Sequence, residues 1–234
     1  MKASIIALLT TSLILTGCTS DETYESDVTA INLVNNELNI IWFDKNNDEE
    51  VSLSPDSALE YGQATIEQTL YQDKLYSSYS FKATDGNTLE DVIEKTSFSL
   101  SHDEEYVVFA YLDQNEDSQL EPTLGAVFVK DEDIADNQYR VIIMHTFSSN
   151  TGLIDVYIGD KLVAEDLEYG DGSEYINLNI DNTQLKITKA DSIAPILEYT
   201  IEPVEDEFHT IFIAPETTDN YNAAAFVVVD KDED

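Results

Sequence analysis

The sequence predicts an all-β protein in which two tandem β-sandwich domains follow a cleaved signal peptide. Short apolar segments, some alternating and some continuous, recur between clusters of Asn, Asp, Gly and Ser. This pattern is typical of sandwiches and barrels. An internal repeat, with about seven candidate strands in each half, gives the division into two domains. No segment keeps a convincing helical stripe over a dozen residues, although residues 63–71 could form a short helix.

The clearest alternation lies in two neighbouring segments of the second half. Residues 174–180 (EYINLNI) place isoleucine, leucine and isoleucine on one face, and residues 184–189 (QLKITK) place leucine and isoleucine on one face. Residues 181–183 (DNT) between them are typical turn residues. We therefore expect two strands joined by a tight hairpin.

The internal repeat is anchored by two similar five-residue segments, Leu59-Glu60-Tyr61-Gly62-Gln63 and Leu167-Glu168-Tyr169-Gly170-Asp171. Candidate strands around them match in the same order: 30–34 with 139–143, 38–44 with 153–159, 79–84 with 184–189, 106–112 with 208–214, and 125–131 with 224–230. The period is roughly 100 to 115 residues, the size of one small sandwich. We predict a first domain over residues 28–131, a polar linker over 132–138 and a second domain over 139–234.

The start of the chain has the form of a bacterial lipoprotein signal. Lys2 precedes a weakly polar to apolar run, and Leu15-Thr16-Gly17-Cys18 follows it with the only cysteine of the protein. The run is too short to span a hydrocarbon core of about 30 Å. We expect residues 1–17 to be removed, Cys18 to carry lipid such as palmitate, and residues 18–27 to form an acidic tether. An ordinary secretory signal with a chance cysteine is the alternative.

Charge limits the partners of this protein. The chain has 48 acidic and 11 basic residues, for a formal net charge of -37. Such a surface repels nucleic acid and anionic lipid, so we expect no nucleic acid partner and membrane attachment only through the lipid. The charge fits either solubility at high salt or capture of divalent cations or basic partners. An aspartate directly after the lipidated cysteine resembles an inner-membrane retention signal. Thr19 stands at that position instead, and its presence favours the outer membrane.

Several motifs of the second half carry a resemblance to a known family. They are Val141-Ile142-Ile143-Met144-His145, the strand around Asp155-Val156-Tyr157, Leu167-x-Tyr169-Gly170, and Ser173-x-Tyr175. This half resembles the bacterial domain-of-unknown-function family numbered 4397, which is similar to immunoglobulin-like sandwiches and often occurs in tandem in secreted or envelope proteins. The resemblance implies an immunoglobulin-like fold, and no enzymatic activity follows from it, because the biochemistry of the family is unassigned. The first half departs from it, with Asn35 near the position of His145, and with Ile40-Ile41-Trp42 replacing Asp155-Val156-Tyr157.

Two loops have the alternating oxygen side chains of calcium sites. Their candidate ligands are Asp113, Asn115, Asp117 and Glu121 in one and Asp44, Asn46 and Asp48 in the other. Both lack the glycine at the sixth position, where Ser118 and Glu49 stand, and the glutamate at the twelfth, so a solvated hairpin loop is the competing interpretation. Calcium is therefore the one cofactor that the sequence suggests.

The remaining reactive residues give little support to catalysis. His145 ends a strand and is expected to hydrogen-bond the backbone of a loop, whereas His102 and His209 are expected at the surface or at an edge. The sequence has no H-E-x-x-H, C-x-x-C or G-x-S-x-G motif. Trp42 with Phe43, and Tyr169 with Tyr175, could stack on a sugar if exposed, but packing against neighbouring strands is the competing interpretation.

These observations predict a lipid-anchored envelope protein that is not an enzyme. Its expected role is a binding or structural module that presents edge strands and loops to another envelope protein or a glycan. A calcium-binding envelope module is the alternative, and a hydrolase with paired carboxylates is a remote one.

Overall fold

The computed structural model describes residues 24–44, 49–72, 78–101, 104–114, 119–129, 133–147, 151–216 and 222–230. The predicted signal peptide, Cys18 and the tether up to residue 23 lie outside these ranges, so the predictions made for them remain predictions. All named elements in the described ranges are β-strands. In the same ranges there is no helix of the length and apolarity that crossing a bilayer requires.

Sixteen strands make up this part of the chain. The first eight are β1 (Tyr24–Asn32), β2 (Leu38–Asp44), β3 (Glu49–Ser52), β4 (Gln68–Gln72), β5 (Ser78–Asp85), β6 (Asp91–Ser99), β7 (Glu104–Gln114) and β8 (Leu120–Val129). The second eight are β9 (Gln138–His145), β10 (Ile154–Ile158), β11 (Lys161–Leu167), β12 (Ile176–Asn179), β13 (Gln184–Lys189), β14 (Pro195–Thr200), β15 (Phe208–Pro215) and β16 (Ala223–Asp230).

The strands form four sheets, arranged as two sandwich-like units as the sequence predicts. The first unit has sheets of order β3-β2-β5-β6 and β4-β1-β7-β8, and the second has sheets of order β12-β9-β15-β16 and β11-β10-β13-β14. In each unit the first strand pairs in parallel with the seventh, β1 with β7 and β9 with β15. The two units therefore share one topology.

Three apolar clusters hold the four sheets together in a stack. One lies within the first unit and includes Leu38, Phe81 and Val108, and another lies within the second and includes Ile143 and Ile187. A third cluster joins the units, because it contains residues of β1, β7 and β8 together with residues of β9, β15 and β16. The sheets β4-β1-β7-β8 and β12-β9-β15-β16 are therefore the inner layers, and the other two are the outer layers.

The position of a sheet in the stack explains the hydrophobic pattern of its strands. The central strands β9 and β15 of an inner sheet are buried at nearly every residue. The outer strand β10 alternates between buried and partly exposed residues. A strand covered on both faces needs apolar side chains on both, whereas a strand with one solvated face needs them only at every second residue.

Two local predictions are wrong. Residues 63–71 form no helix; they enter β4, which pairs antiparallel with β1. The strands β12 and β13 do not form a hairpin, because β12 pairs with β9 in the inner sheet and β13 with β10 in the outer sheet. The turn at residues 181–183 thus carries the chain from one layer to the next, which local turn chemistry does not distinguish from a hairpin.

The predicted tether is also too long at its C-terminal end. β1 begins at Tyr24, so residues 24–27 are paired with β4 and β7. Ser26 occupies a fully buried position in this strand, and its hydroxyl donates to the backbone oxygen of Ser101 at 2.7 Å. The polar composition of residues 24–27 gave no sign of a strand. A small hydroxyl group can nevertheless point into the core when it has a hydrogen-bond partner there.

The internal repeat has the predicted order but a different register. The backbone N–H of Gly62 donates to the Asn32 oxygen, as that of Gly170 donates to the His145 oxygen. Asn32 is therefore the equivalent of His145, and the sequence-based assignment of Asn35 is wrong. Likewise, the bonds from Gly86 to Glu37 and from Ala190 to Leu153 make Ile40 equivalent to Val156, one residue from the predicted match.

Candidate functional site at the interface between the sandwiches

The interface between the two sandwiches is centred on two stacked phenylalanines. The rings of Phe109 in β7 and Phe212 in β15 have centroids 5.0 Å apart and planes inclined by 53°. These residues are equivalent in the repeat, since the N–H of Leu33 bonds to Ala110 as that of Thr146 bonds to Ile213. A residue that meets its own equivalent lies close to a two-fold axis. The two units are thus related by an approximate two-fold axis within one chain.

The repeated tyrosines cross this axis reciprocally. The hydroxyl of Tyr61 donates to the backbone oxygen of Pro215 at 2.7 Å, and that of Tyr169 donates to the backbone oxygen of Leu112. Burial raises the pKa of Tyr61 to about 12. Burial, followed by the charge of Asp113, also raises the pKa of Tyr169. Both hydroxyls therefore stay protonated and act as donors at neutral pH.

The glycine after each tyrosine is required by the backbone. Gly62 and Gly170 have φ of +77° and +88°, in the region that side chains disfavour. At Gly62 space is also limiting, because a β-carbon would lie 2.5 Å from Cε1 of Phe226. The ring of Phe226 meets that of Tyr61 edge-on, with centroids 5.5 Å apart. The Tyr-Gly repeat is therefore a docking element between the sandwiches.

Tyr175 also belongs to the interface. Its hydroxyl donates to the backbone oxygen of Phe128 in β8 at 2.8 Å. Its ring lies 5.8 Å from that of Phe208 between centroids. Tyr169 and Tyr175, which the sequence offered as aromatics for a sugar, thus bind the first sandwich instead.

The other proposed sugar-stacking pair is covered as well. Trp42 is 5% exposed and packs in the core of the first sandwich. The ring of Phe43 has the Lys95 ammonium 3.9 Å from its centroid and the Lys82 ammonium at 5.6 Å. Packing, the competing interpretation, accounts for these aromatics.

His145 organises the loop between β9 and β10, as the sequence predicts. Its ring is fully buried, accepts from the Phe147 N–H at Nδ1 and donates from Nε2 to the Gly152 oxygen at 3.1 Å. In the first sandwich, Asn32 accepts from the Val34 N–H and donates to the Asn36 oxygen. The imidazole reaches farther than the amide, which suits the longer loop of residues 146–153 compared with 33–37.

His209 is not a surface or edge residue, contrary to the prediction. It is fully buried in the central strand β15, and its ring lies edge-on to Tyr139 with centroids 5.1 Å apart. The N–H of Val204 donates to its Nε2, and its Nδ1 donates to the Glu207 oxygen. Two backbone partners satisfy both nitrogens, so the polar residue can lie inside. His102 lies outside the described residues.

We expect acidification below pH 6.5 to weaken folding through His145 and His209. Burial lowers the pKa of both, against a smaller opposing effect of their carbonyl partners. The unfolded chain takes up protons near pH 6.5 while the folded protein does not, so stability falls from there toward the folded pKa and is unaffected above it. Urea unfolding between pH 7.5 and 5.5 measures this loss. The variant His145→Asn, which copies Asn32, should show a smaller loss; an equal loss would contradict the prediction.

Two further family-like residues have local structural contacts. The carboxylate of Asp155 accepts from the backbone N–H of Asp166 at 3.0 Å, where the chain has a φ of +53° beside a β-bulge. The ring of Tyr157 lies 4.3 Å from the ammonium of Lys186, its cross-strand neighbour. Neither arrangement points to a ligand.

The proposed calcium loops are only partly described. Asp113 and Glu121 are direct cross-strand partners in β7 and β8, and Asp44 closes β2 opposite Glu49. Asn115, Asp117, Asn46 and Asp48 lie outside the described residues. Within the described ranges no three of the side chains His, Cys, Asp and Glu come together as metal ligands. Calcium binding therefore stays a prediction.

Residues 140–234 match the model of a family described as a domain of unknown function, DUF4397. The family resemblance predicted for this half is confirmed. A search of the curated proteins finds no match. The matched DUF4397 segment extends from β9 to the end of the chain, so it contains Phe212 and the tyrosines that dock onto the first sandwich.

Phe109, Phe212 and the docking role of Tyr61 are not predicted from the sequence. A usable signal was present, because continuous apolar runs occur in β7, β8, β9, β15 and β16, which are five of the eight strands of the inner sheets. Such runs predict strands covered on both faces. A second buried face in each half indicates that the halves pack on one another.

Proposed function

We propose that this protein is a lipid-anchored envelope protein that acts as a non-enzymatic binding module for a protein partner. The observation that carries the proposal is the use of the family-like side chains: His145 orders a loop, and Tyr169 and Tyr175 join the two sandwiches. The chemistry-bearing residues thus serve the internal structure of the protein. Recognition is left to its edge strands and loops, which present backbone groups and acidic side chains.

The anchor part of the proposal is supported by the sequence alone. Cys18 follows a short apolar run and small residues, and the formal net charge of -37 disfavours direct contact with anionic lipid. A lipid on Cys18 offsets that repulsion, because each buried methylene contributes about 0.8 kcal/mol. Thr19 after the cysteine favours the outer membrane over the inner membrane.

Replacement of the thiol tests the anchor directly. We expect Cys18→Ser to move the protein out of the washed membrane fraction, because the hydroxyl does not accept the lipid. Thr19→Ser, which keeps the thiol, is the matched control and should stay with the membrane. Membrane recovery of both variants at the wild-type level would show that the anchor proposal is wrong.

The binding part has its own test. The full chain, immobilised on beads, should recover a specific protein from solubilised envelope extract, and excess free protein should compete with that recovery. The binding role would be overturned if the beads recovered no protein whose recovery is reduced by excess free protein.

A further inference from the structure

The inner sheet of the second sandwich ends in a strand whose outer side is unpaired among the described strands. β16 pairs with β15 and is the last strand of the order β12-β9-β15-β16. In the sequence, residues 223–229 of this strand (AAAFVVV) include neither a charge nor a proline. A long apolar edge of this kind is a template for pairing with another chain.

The register shows which backbone groups of β16 face outward. The N–H of Glu216 donates to the Asn222 oxygen, which identifies this pair as a hydrogen-bonded one of the ladder. Bonded and non-bonded pairs alternate along an antiparallel ladder. Residues 224, 226 and 228 therefore point their N–H and C=O groups to β15, and residues 223, 225, 227 and 229 point theirs to the open edge.

The equivalent edge of the first sandwich, β8, is protected at both of its ends. The Ala110 oxygen accepts from Leu33 on the side of β1, so residues 122, 124, 126 and 128 of β8 face outward by the same alternation. Pro122 has no N–H to offer there. The Phe128 oxygen accepts from the hydroxyl of Tyr175 at 2.8 Å.

None of these closing devices is repeated on β16. The register aligns Phe109↔Gly125 with Phe212↔Phe226, so Ala223 takes the place of Pro122, and Val229 that of Phe128. The residue equivalent to Tyr175 is Glu67, whose carboxylate cannot donate. The other edge strands of the described part are short (β4, β12) or carry charges or a proline (β3, β6, β11, β14). β16 is thus the edge left without protection.

We propose that β16 binds an extended segment of a protein partner as an added strand, and that basic residues flank this segment. The inference rests on the proposed binding function and names the surface that serves it. Ile196 and Leu197 of β14, at the neighbouring sheet edge, pack against the second core. Apolar side chains at every second position of the partner would extend that core.

The negative charge around the edge of β16 favours a partner segment with basic residues. Glu198 lies exposed on β14, and Asp230 ends β16 with Lys-Asp-Glu-Asp after it in the sequence. The formal net charge of -37 on each copy disfavours a second copy of this chain at the same edge. A segment flanked by Lys or Arg is attracted instead, and its binding weakens with salt.

Amide hydrogen exchange on the full mature chain tests the open edge. The amides of Ala225, Val227 and Val229 should exchange rapidly, and those of Ala224, Phe226 and Val228 slowly. Slow exchange at all six in dilute protein would overturn the proposal, because the edge would already be covered. Protection that grows with protein concentration would also overturn it, in favour of a second copy.

A synthetic peptide, Lys-Lys-Val-Thr-Val-Thr-Val-Lys-Lys, tests the occupant. We expect it to protect the three outward amides and to bind at least about tenfold more tightly than its glutamate-flanked version or a version with N-methylated valines. Ala225→Pro should abolish binding, because it removes one outward N–H. Ala126→Pro, at an outward position of β8, is the matched control and should bind normally. Ala223→Pro, which copies Pro122, gives a second test at the strand end if Ala225→Pro does not fold.

Equal peptide binding by Ala225→Pro and Ala126→Pro would overturn the edge proposal, as would equal binding of the N-methylated peptide. The envelope extract separates this failure from that of the binding function. If wild type and Ala225→Pro recover equal amounts of a partner whose recovery free protein reduces, the role of β16 is overturned. The binding function is then unaffected.

Discussion

Replacing Phe212 with alanine is expected to lower the free energy of unfolding by about 3–5 kcal/mol, the usual cost of removing a fully buried phenylalanine. The ring is inaccessible to solvent and stacks on Phe109 at the centre of the interface. The cavity would lie between two sheets that are each held from the far side by their own core, so the site cannot readily collapse. Urea unfolding followed by fluorescence or circular dichroism measures the loss.

The matched experiment separates the ring pair from general packing. Phe109→Ala should give a similar loss, and the double variant should lose less than the sum by about 0.5–1.5 kcal/mol, the coupling typical of aromatic pairs. Phe98→Ala, a partly buried residue at the side of the first core, is the control and should cost less. Strict additivity of Phe109→Ala and Phe212→Ala would contradict the contact across the interface.

The second large effect is expected at Gly62. An alanine there must adopt a φ of +77° and would place its β-carbon 2.5 Å from Cε1 of Phe226. The backbone strain costs about 1–3 kcal/mol and overpacking adds about 1–3 kcal/mol. Differential scanning calorimetry of Gly62→Ala should therefore show a marked fall in melting temperature.

Gly170 provides a matched control for this substitution. It has a similar φ of +88°, but the nearest atom to an added β-carbon is the Tyr111 hydroxyl at 3.9 Å. Gly170→Ala should show the strain cost alone. If the two alanine variants melt together, Phe226 does not press on the turn and the described packing of β16 against Tyr61 is wrong.

The layered β architecture could be predicted because it depends on local information. Alternation in the segments that form β12 and β13, and the turn residues 181–183 between them, are visible in the sequence. The packing of the two halves depends on contacts between distant residues, such as Phe109 with Phe212. The continuous apolar runs of the inner strands indicated it, but a single run does not say which face covers it.

The register of the repeat was harder to predict than its existence. The loop between β1 and β2 spans residues 33–37, and its equivalent spans 146–153, so a single offset cannot align both sides of it. Asn32 and His145 share their hydrogen-bonding role but neither size nor chemistry. The equivalence of these two residues is therefore defined by backbone hydrogen bonds, which cannot be read from the sequence.

The candidate residues were found more readily than their roles. His145 was expected to order a loop, and it does so. Tyr169 and Tyr175 stood out by motif, but their hydroxyls bond to backbone oxygens of the other sandwich. A backbone acceptor contributed by residues more than forty positions away leaves no trace in the spacing of a motif.

The placement of β1 also has a mechanical consequence. A pull on the chain before Tyr24 acts along a strand held by β4 on one side and by β7, in parallel, on the other. Hydrogen bonds that run across the strand are then loaded together in shear, and they must break as a group instead of one after another. The first strand thus transmits tension into an inner sheet of the stack, and its hydrogen bonds are not broken one at a time from the end.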